Sequence, residues 1–506
     1  MGQASESVRL SSGRFLALFA SLGLLCALPL FLTPLPPLLD FPNHLARMHL
    51  LPSLPSPALE RFYAVAWAPL PNLAMDGLVP LLARFMPLLW AGKLFVVLTF
   101  LLLAGGAAAI HRVLFRFWSP WSCLAFLLLY SRLLLWGFLG FLFGCGLALF
   151  AFAAWLGLRE RHWLLRIALG CVFATAIYLA HLLAFGIYAV MIAGLELGAL
   201  WRSRPKLGAA MRDLAIGGLP FLPALILMAL NSSTGRILYA DPLRKLDLLF
   251  SVFDNYSRPF DVACFALLVV AIAIAFLRGW LRLAPQMAGP LLGLVLLYLA
   301  MPSQLFTAAG ADRRIPLMIF LALIGGSHWS PTFGRWERRF LAGAAALLVV
   351  RLAMICLVWR QGGALYEEAL PGIDALPHGA CVAVAMDRDG ISVQKVPLTH
   401  FPVLAVARRD AFVTTLFALP RQQPITLTPE AAALADALSA DALWSDFVQG
   451  APPLAPPTRD ALLACGHVAF AGTKPFTLAK PAGLEPIFVM PRLQIYRVAP
   501  AGFSRR

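Results

Sequence analysis

Long apolar runs separated by short polar connections fill residues 1–358 of this chain. Several of the runs reach the roughly 20 residues that a helix needs to cross the hydrocarbon core of a bilayer. The pattern therefore predicts an all-α polytopic membrane bundle of about 11 transmembrane helices. We place these helices at 15–35, 88–110, 119–135, 138–158, 163–180, 183–201, 213–230, 262–277, 286–302, 315–328 and 340–358.

Residues 359–506 show a different pattern, in which short apolar runs alternate with helical ones. The runs ACVAVAM, HVAFAG and LQIYRV are strand-like, whereas PEAAALADALSADALWSDF and TRDALLA are helical in character. Short strands interleaved with helices predict a soluble α/β domain. Cys381 and Cys465 stand at the start of two predicted strands. They can form a disulfide if the compartment is oxidising and the strands are neighbours.

The composition excludes a chain that is soluble throughout. It is 60% hydrophobic and 13% charged, with a mean hydropathy of +0.79, which is more apolar surface than one soluble core could bury. The formal charge of +16 does not indicate nucleic-acid binding, because the basic residues are scattered between apolar runs without forming a stripe. Residues 1–358 hold 28 Lys and Arg against 13 Asp and Glu, whereas residues 359–506 hold 13 against 12. The excess charge therefore belongs to the membrane part.

Alternate connections between the predicted helices collect the arginines, and the positive-inside rule makes these connections cytoplasmic. They carry Arg9 and Arg14; Arg112 and Arg116; Arg159 and Arg161; Arg202, Arg204 and Lys206; Arg278 and Arg282; and Arg335, Arg338 and Arg339. The N-terminus is then inside, and an odd number of helices places the C-terminal domain outside. The first run is too long for a signal-peptide core and lacks a cleavage site, so we expect a retained helix. This layout, together with 35 Arg against 6 Lys, favours a bacterial inner membrane with the C-terminal domain in the periplasm.

The first external loop, residues 36–87, opens with the polar segment LDFPNHLARMHLL at 38–50. Two short amphipathic helices lying on the membrane surface, around 42–51 and 73–86, fit the pattern of this loop. The segment places a carboxylate, an amide, two imidazoles and a guanidinium just outside the bilayer. These groups belong to Asp40, Asn43, His44, His49 and Arg47.

Asp40 has two interpretations. At the mouth of a membrane cavity it could act as a general base toward an acceptor hydroxyl, while nearby cations hold an anionic leaving group. Arg47 lies two helical turns further on nearly the same face, and Asn43 and His44 share the first turn, so the cluster could converge on one substrate. In the alternative, Asp40 is a helix N-cap ahead of Pro42, while His44 and Arg47 contact lipid headgroups.

Other ionisable residues also have two interpretations. Arg313 and Arg314, at the entry of the tenth predicted helix, either bind a phosphate or contact lipid headgroups. Asp76, in PNLAMDG, either supplies a second carboxylate or caps or ends a surface helix. The aromatic and glycine-rich run at 136–146 is interpreted as helix packing. Five further ionisable residues lie within or beside the predicted helices and are expected to face the bundle interior or a wet cavity: Lys93, Arg132, His181, Glu196 and Arg351. For Lys93 and Arg351, pairing between helices is expected, with a carrier groove as the alternative.

The layout resembles that of the integral-membrane glycosyltransferases of the C-type fold. These enzymes transfer a sugar from a polyprenyl-phosphate carrier to an acceptor on the outer side of the membrane. The resemblance covers nearly the whole chain: an aspartate directly after the first span, surface helices in the first external loop, an arginine-bearing late external loop and a C-terminal external domain. LDFPNHLAR supports it at the level of a motif, with weaker support from PNLAMDGLVPLLAR and ADRRIPL.

The resemblance implies roles for individual residues. Asp40 matches the catalytic acidic residue that deprotonates the acceptor, and Arg313 or Arg314 matches the position of a cation that holds the carrier phosphate. Binding of substrate or carrier is further expected of Asn43, His44, Arg47 and Asp76. The chain departs from the family after Asp40, where Phe41 stands in place of a second acidic residue. A divalent metal on Asp40 and Asp76 is therefore left open.

The implied reaction is inverting, and its partners are a polyprenyl-phosphate sugar donor, a glycan, lipid or protein acceptor, and membrane lipids. Two other functions remain open from the residues alone. A transporter or flippase of a lipid-linked or anionic solute is disfavoured, because the predicted helices show no internal repeat. A non-catalytic envelope-assembly scaffold with the same fold is compatible with the sequence. The sequence identifies neither the sugar, nor the acceptor, nor the oligomeric state.

Overall fold

The structure is a computed structural model that describes residues 8–159, 163–231, 236–306, 308–387, 396–450 and 454–499. Within these ranges, eight helical segments are long and apolar enough to cross a membrane, by length and composition. They are Ser12–Phe31, Leu88–Phe115, Leu139–Gly157, Trp163–Ala180, Leu182–Ser203, Leu207–Leu230, Arg258–Leu277 and Pro331–Asp374. The mainly helical membrane part predicted from the sequence is therefore confirmed, whereas the number of 11 spans and their topology stay predictions.

The helices of the membrane part and its first loop are α1 (Ser12–Phe31), α2 (Phe41–Ser53), α3 (Pro57–Glu60), α4 (Ala74–Leu82), α5 (Leu88–Phe115), α6 (Arg132–Trp136), α7 (Leu139–Gly157), α8 (Trp163–Ala180), α9 (Leu182–Ser203), α10 (Leu207–Gly218), α11 (Leu222–Leu230), α12 (Arg244–Leu249), α13 (Arg258–Leu277), α14 (Ala288–Ala300) and α15 (Ile315–Gly326). The remaining helices are α16 (Gly334–Asp374), α17 (Leu404–Arg409), α18 (Pro429–Ala437), α19 (Ala440–Phe447) and α20 (Pro456–Cys465).

Three of the predicted spans take a shorter or different form. The run at 119–135 is a 3₁₀-helix over Pro120–Leu128 followed by the five residues of α6. A 3₁₀-helix is narrower than an α-helix and has poorer hydrogen-bond geometry, so a run of nine residues is unusual. The runs at 286–302 and 315–328 contain α14, with 13 residues, and α15, with 12 residues. Hydropathy detects these apolar segments, but it does not report how far each one stays helical.

Glycines let the central helices approach closely. A Cβ at Gly106 of α5 would lie 2.5 Å from Leu149 of α7, and one at Gly146 of α7 would lie 2.5 Å from Leu102 of α5. Further toward the start of both helices, Phe95 stacks on Phe143. The contacts advance along both helices in the same order, so α5 and α7 run parallel. The prediction that the glycine-rich run serves helix packing holds for this part of α7.

Buried ion pairs satisfy most of the charges expected inside the bundle. Arg351 of α16 pairs with Asp261 of α13, and Arg132 of α6 pairs with Asp254. Lys93 of α5 donates to the carbonyl oxygen of Thr33 at 2.7 Å. Pairing between elements, the first interpretation of these residues, is thus what the structure contains.

Twelve strands lie in the described residues: β1 (Tyr63–Val65), β2 (Arg236–Leu238), β3 (Leu281–Leu283), β4 (Gln304–Phe306), β5 (Ala308–Ala309), β6 (Ser327–Trp329), β7 (Cys381–Met386), β8 (Phe412–Val413), β9 (Ile425–Leu427), β10 (His467–Ala471), β11 (Leu484–Met490) and β12 (Leu493–Val498). The C-terminal domain contains a five-stranded sheet in the order β11-β12-β10-β7-β8. Strand β7 is parallel to β8 and β10, whereas β12 is antiparallel to β10 and β11. The α/β character predicted for this domain is present.

A disulfide joins Cys381 at the start of β7 to Cys465. Cys465 is the last residue of α20 and not the first residue of a strand, although the strand β10 begins only two residues later. Because β7 and β10 are parallel neighbours, their starts lie side by side. The pairing that the sequence left open is therefore made in the structure.

The first external loop and the C-terminal domain are joined directly. Helices are present at both expected positions, as α2 and α4, with boundaries shifted by one to four residues. The expected surface position is wrong for α2, which is buried from Phe41 to Met48 because other elements pack around it. Strand β1 of this loop pairs antiparallel with β9 of the C-terminal domain, and α2 packs against α17. Helix α16 continues past residue 358, where the sequence pattern changes, and ends at Asp374. The predicted boundary between the two domains consequently lies within this helix.

Candidate active-site cavity

A cavity of about 370 Å³ opens where the start of α2 meets the C-terminal domain. Its walls come from four stretches that are distant in sequence. They are the residues around 39–47, the residues at 136–141, the residues at 309–314, and the residues at 400–423. Seven ionisable or polar side chains used below line it, namely Asp40, His44, Arg47, His181, Arg313, Arg314 and His400. The volume lies within the range of small-molecule sites.

Asp40 stands at the entry of α2, immediately before Phe41 and Pro42. It occupies the N-cap position, but its side chain makes no capping hydrogen bond. Its backbone N–H donates to the carbonyl oxygen of Trp136, and Gly137, with φ of 86°, leaves no room for a Cβ beside Asp40. The turn at Trp136 and Gly137 thus fixes the backbone of Asp40, and the carboxylate lines the cavity.

The cavity environment changes the acidity of Asp40. Burial raises the pKa of its carboxyl from 3.8 to about 7, against the opposing charges of Arg314 and Arg47. The carboxyl therefore changes between its protonated and ionised forms near neutral pH. The Nε2 atom of His400 lies 3.6 Å from its Oδ1. A carboxyl with a pKa near the working pH suits a general base.

Arg47 is fixed by a buried ion pair. Its Nε donates to Asp76 Oδ1 at 2.9 Å, and its second terminal nitrogen donates to Oδ2 at 2.8 Å. Both side chains are almost fully buried, at 1% and 0% exposure. The remaining guanidinium nitrogen of Arg47 has no hydrogen-bond partner among the described residues. Because Arg47 also lines the cavity, the pair with Asp76 holds one positive charge at its wall.

Asp76 itself lies on the other side of this pair. It lines a separate cavity together with Trp67, Pro80 and Arg84, and it does not line the one that contains Asp40. Among the described residues, no group of three or more His, Cys, Asp or Glu side chains is placed to hold a metal ion. A metal site built from Asp40 and Asp76 therefore does not fit this arrangement.

His44 and Asn43 have different positions in the first turn of α2. The Nε2 atom of His44 lies 3.0 Å from the carbonyl oxygen of Gly137. Burial lowers the pKa of His44 to about 3, so the ring is neutral and its Nε2–H donates to that carbonyl. This leaves Nδ1 as an acceptor without a partner among the described residues. Asn43 does not line the cavity, and its Oδ1 accepts a hydrogen bond from the backbone N–H of Phe417 at 2.8 Å.

Arg314 and Arg313 line the same cavity as Asp40. The Arg314 guanidinium lies 4.0 Å from the Phe138 ring centre, and it donates to the carbonyl oxygen of Ala309 at 3.2 Å. Arg313 stands 5.1 Å from the ring centre of Trp136. Burial lowers the pKa of Arg314 to about 10, with the charge of Asp40 opposing this shift, so Arg314 stays protonated at neutral pH. The stacked rings hold both cations in place.

Sequence reasoning did not single out several residues of the cavity wall. His400 comes from the C-terminal domain, and it too precedes a Phe-Pro pair that opens a helical turn. His181, the N-cap of α9, was expected only as a charge at the edge of a span, yet its Nε2 lies 3.3 Å from an Arg314 nitrogen. The aromatic residues at 136–141 were interpreted as packing. No local signal in the chain connects these segments, which lie more than 90 residues from Asp40.

Two solved structures resemble the whole chain. One is the crystal structure of ArnT from Cupriavidus metallidurans bound to undecaprenyl phosphate, with a TM-score of 0.53 and 12% sequence identity. The other is ArnT from the same organism in the apo state, with a TM-score of 0.51 and 12% identity. Each match covers 98% of this chain and 100% of that chain.

No protein-family model and no curated protein matches the chain. At 12% identity the likeness to ArnT concerns the fold and extends over both the membrane part and the C-terminal domain. This chain therefore shares the fold of these two ArnT structures over nearly its whole length.

Proposed function

We propose that this protein is a glycosyltransferase that moves a sugar from a polyprenyl-phosphate carrier to an acceptor hydroxyl on the outer side of the membrane. One observation carries the proposal. A carboxyl with a pKa of about 7 and a buried arginine, Asp40 and Arg314, face the same cavity and influence each other electrostatically. Such a pair supplies the two elements of this reaction, a base for the acceptor and a cation for the leaving group.

Asp40 acts as the general base in this proposal. The acceptor oxygen attacks the anomeric carbon of the sugar, and its proton passes to the Asp40 carboxylate. The bond from that carbon to the phosphate oxygen breaks, so the configuration at carbon is inverted. His400, 3.6 Å away, orients the carboxylate. The free Nδ1 of neutral His44 can accept a hydrogen bond from a sugar hydroxyl.

The carrier phosphate leaves with the electron pair of the broken bond. Arg314 and Arg313 line the same cavity as Asp40 and can pair with this negative charge, and the free guanidinium nitrogen of Arg47 adds a third donor. The aromatic rings beneath the two neighbouring arginines limit their movement, so little reorganisation is needed when charge develops. Asp76 and Asn43 act by position, since each fixes part of α2 through hydrogen bonds.

The proposal places the enzyme in the inner membrane of a bacterium, with the C-terminal domain in the periplasm. One of the two similar ArnT structures was determined with bound undecaprenyl phosphate, which supports a polyprenyl phosphate as the carrier for this chain too. The acceptor is an envelope glycan, a lipid or a protein. Residues of the C-terminal domain between 400 and 423 form part of the cavity wall, so this domain contributes to acceptor binding in the proposal.

The test is mass spectrometry of envelope glycans and glycolipids from a strain that lacks the gene. The strain is complemented with the wild type, with Asp40→Asn, or with Asp460→Asn, at matched abundance in the membrane. Asp460 is a matched control, because its carboxylate is 70% exposed and it does not line the cavity. We expect wild type and Asp460→Asn to restore a sugar mass that Asp40→Asn does not, since loss of a general base costs roughly 10²–10⁴ in rate.

Equal restoration by all three proteins would contradict the role of Asp40 and favour a transporter or a scaffold. Single and double replacements of Arg313 and Arg314 by Ala test the phosphate site separately. Unchanged use of the carrier in both single variants and in the double variant would exclude that role. If no complemented strain gains a sugar mass, the glycosyltransferase proposal itself fails.

A further inference from the structure

A second, larger polar cavity lies away from the proposed active site, between α8, α9 and α10. Its volume is about 660 Å³. The polar residues of its wall are Arg159, Arg166, Arg212, Glu196 and Asp213, and the proposed transfer reaction uses none of them. The transfer reaction therefore leaves this cavity without a role.

Glu196 is the fixed centre of this cavity. It is buried and accepts hydrogen bonds from Trp155 Nε1 at 2.8 Å, from Arg166 at 2.7 Å and from Arg159 at 3.3 Å. The Arg166 guanidinium also stacks 3.8 Å from the Trp155 ring centre. These contacts hold two guanidinium groups at the wall of the cavity without any ligand, so the site is preorganised.

The charges of the wall leave room for one anion. Three arginines face two carboxylates, which leaves a single positive charge among the described lining residues. The Nε of Arg166 is buried, and no described residue accepts its hydrogen bond. Arg212 pairs with Asp213 at 3.3 Å and is 74% exposed, while Arg159 pairs with Glu196 and is 35% exposed. Each of these pairs uses one guanidinium nitrogen, so the other N–H groups of both arginines can turn toward a ligand. A phosphodiester carries one negative charge and accepts several such hydrogen bonds.

An apolar cavity of about 230 Å³ adjoins the polar one. The two share Glu196, and the apolar cavity is bounded by Ile192, Leu214 and Phe221, next to two glycines of α10. Outside both cavities, α10 exposes Leu207 and Met211 to the surroundings, at 77% and 63%. A charged cavity beside an apolar one suits a ligand with a phosphate head and a hydrocarbon tail.

The cavity lies at the arginine-rich end of the bundle. Since α5 and α7 run parallel, Arg116 at the end of α5 and Arg159 after the end of α7 are at the same end. Arg202, at the end of α9, donates to the carbonyl oxygen of Pro285 and so ties this end to the turn before α14. Basic side chains at one membrane surface attract anionic lipid headgroups.

We propose that α8, α9 and α10 form a binding site for an anionic phospholipid. The phosphodiester pairs with Arg159, Arg166 and Arg212, and an acyl chain occupies the apolar cavity beside Leu214 and Phe221. The site is independent of the proposed transfer reaction. The lipid in this site binds the helices specifically, in contrast to the bulk lipid of the surrounding bilayer.

The experiment measures binding of phosphatidylglycerol to the purified full chain in detergent by native mass spectrometry. The test variant is the double replacement Arg159→Gln with Arg212→Gln, which leaves Arg166 and Trp155 to hold Glu196. The control is Arg14→Gln with Arg335→Gln, which removes two exposed charges from the same set of arginine-bearing connections without touching the cavity. We expect the test variant to bind phosphatidylglycerol roughly tenfold more weakly, as for loss of a charged hydrogen bond, and the control to bind like the wild type.

Two comparison ligands separate the sources of the phosphate. Phosphatidylcholine, which has no net charge, tests whether binding depends on the charge of the lipid. Inorganic phosphate tests whether a soluble anion binds the same cavity. Weaker binding of phosphatidylcholine than of phosphatidylglycerol supports the proposal. Equal affinity of the two lipids, equal loss in test and control variants, or binding of inorganic phosphate as tight as that of phosphatidylglycerol would each overturn it.

Discussion

Replacing Asp40 by Asn should stabilise the protein, and the gain should grow with pH. In the folded protein the pKa of Asp40 is about 7, whereas an unfolded chain has the ordinary value of 3.8. The folded state therefore binds an extra proton between these values, and the stability contributed by this group falls as pH rises from about 4 to 7. At about 1.4 kcal/mol per pKa unit, the cost is about 1.5 kcal/mol at pH 5 and about 4 kcal/mol at pH 8.

The measurement is the thermal unfolding of purified wild type and Asp40→Asn in detergent, followed by tryptophan fluorescence from pH 5 to pH 8. For a chain of 506 residues, a change of about 2.5 kcal/mol corresponds to about 2 °C in Tm. Comparing the Tm difference between the two proteins at each pH removes the constant cost of burying the Asn amide. Asp460→Asn, at an exposed site, should show no such trend.

A Tm difference between wild type and Asp40→Asn that stays constant from pH 5 to pH 8 would refute the reasoning. It would mean that Asp40 is solvated well enough to ionise normally. Transfer activity of the wild type should change in the opposite direction to its stability, rising through pH 7 as the base ionises. Activity that is independent of pH in this range would separate Asp40 from the proton-transfer step.

Three further predictions concern the surroundings of the base. Asp76→Asn leaves the buried Arg47 with an incomplete partner and should lower the free energy of unfolding by about 3 kcal/mol, seen as a lower Tm; an unchanged Tm would contradict the importance of the pair. His400→Ala removes the imidazole whose Nε2 lies 3.6 Å from Asp40 Oδ1 and should shift the midpoint of the pH–rate profile upward, whereas a lower rate with an unshifted midpoint would indicate a merely structural role. Reduction of the disulfide, or replacement of Cys381 and Cys465 by Ala, opens a loop of 84 residues and should lower the free energy of unfolding by about 4.5 kcal/mol. The C-terminal domain should then be proteolysed faster. Equal proteolysis with and without reductant would argue against a stabilising disulfide.

The pattern of apolar and polar residues was enough to predict much of the fold, because the thickness of the bilayer sets the length of an apolar run that crosses it. It failed to define α14, α15 and the 3₁₀ segment before α6, where apolar composition continues but regular α-helix does not. Helices α2 and α4 could be predicted as helices, since Pro42 opens the first and Asp76 stands in the first turn of the second. The burial of α2 could not be predicted, because its partner α17 is distant in the sequence.

The candidate site could be predicted only in part. LDFPNHLAR is one continuous segment, so its groups had to lie near one another. Asp40 and His400 are 360 positions apart, and no local pattern in the sequence indicates that they are neighbours. The use of Asn43 for the backbone of Phe417 has the same origin. The partners of Asp40 and Asn43 are therefore set by the tertiary fold and not by the local sequence pattern.

Helix α16 has a consequence for how a substrate enters. Its 41 residues extend about 60 Å, roughly twice the thickness of the hydrocarbon core. Near the end of α16, Tyr366 stacks on Phe401, and Gly372 lies against Phe488. The C-terminal domain therefore packs directly on this helix. A domain mounted in this way cannot swing open on a flexible linker. If the proposed function is correct, entry of the donor into the cavity depends on local movement of the wall segments and not on opening of the whole domain.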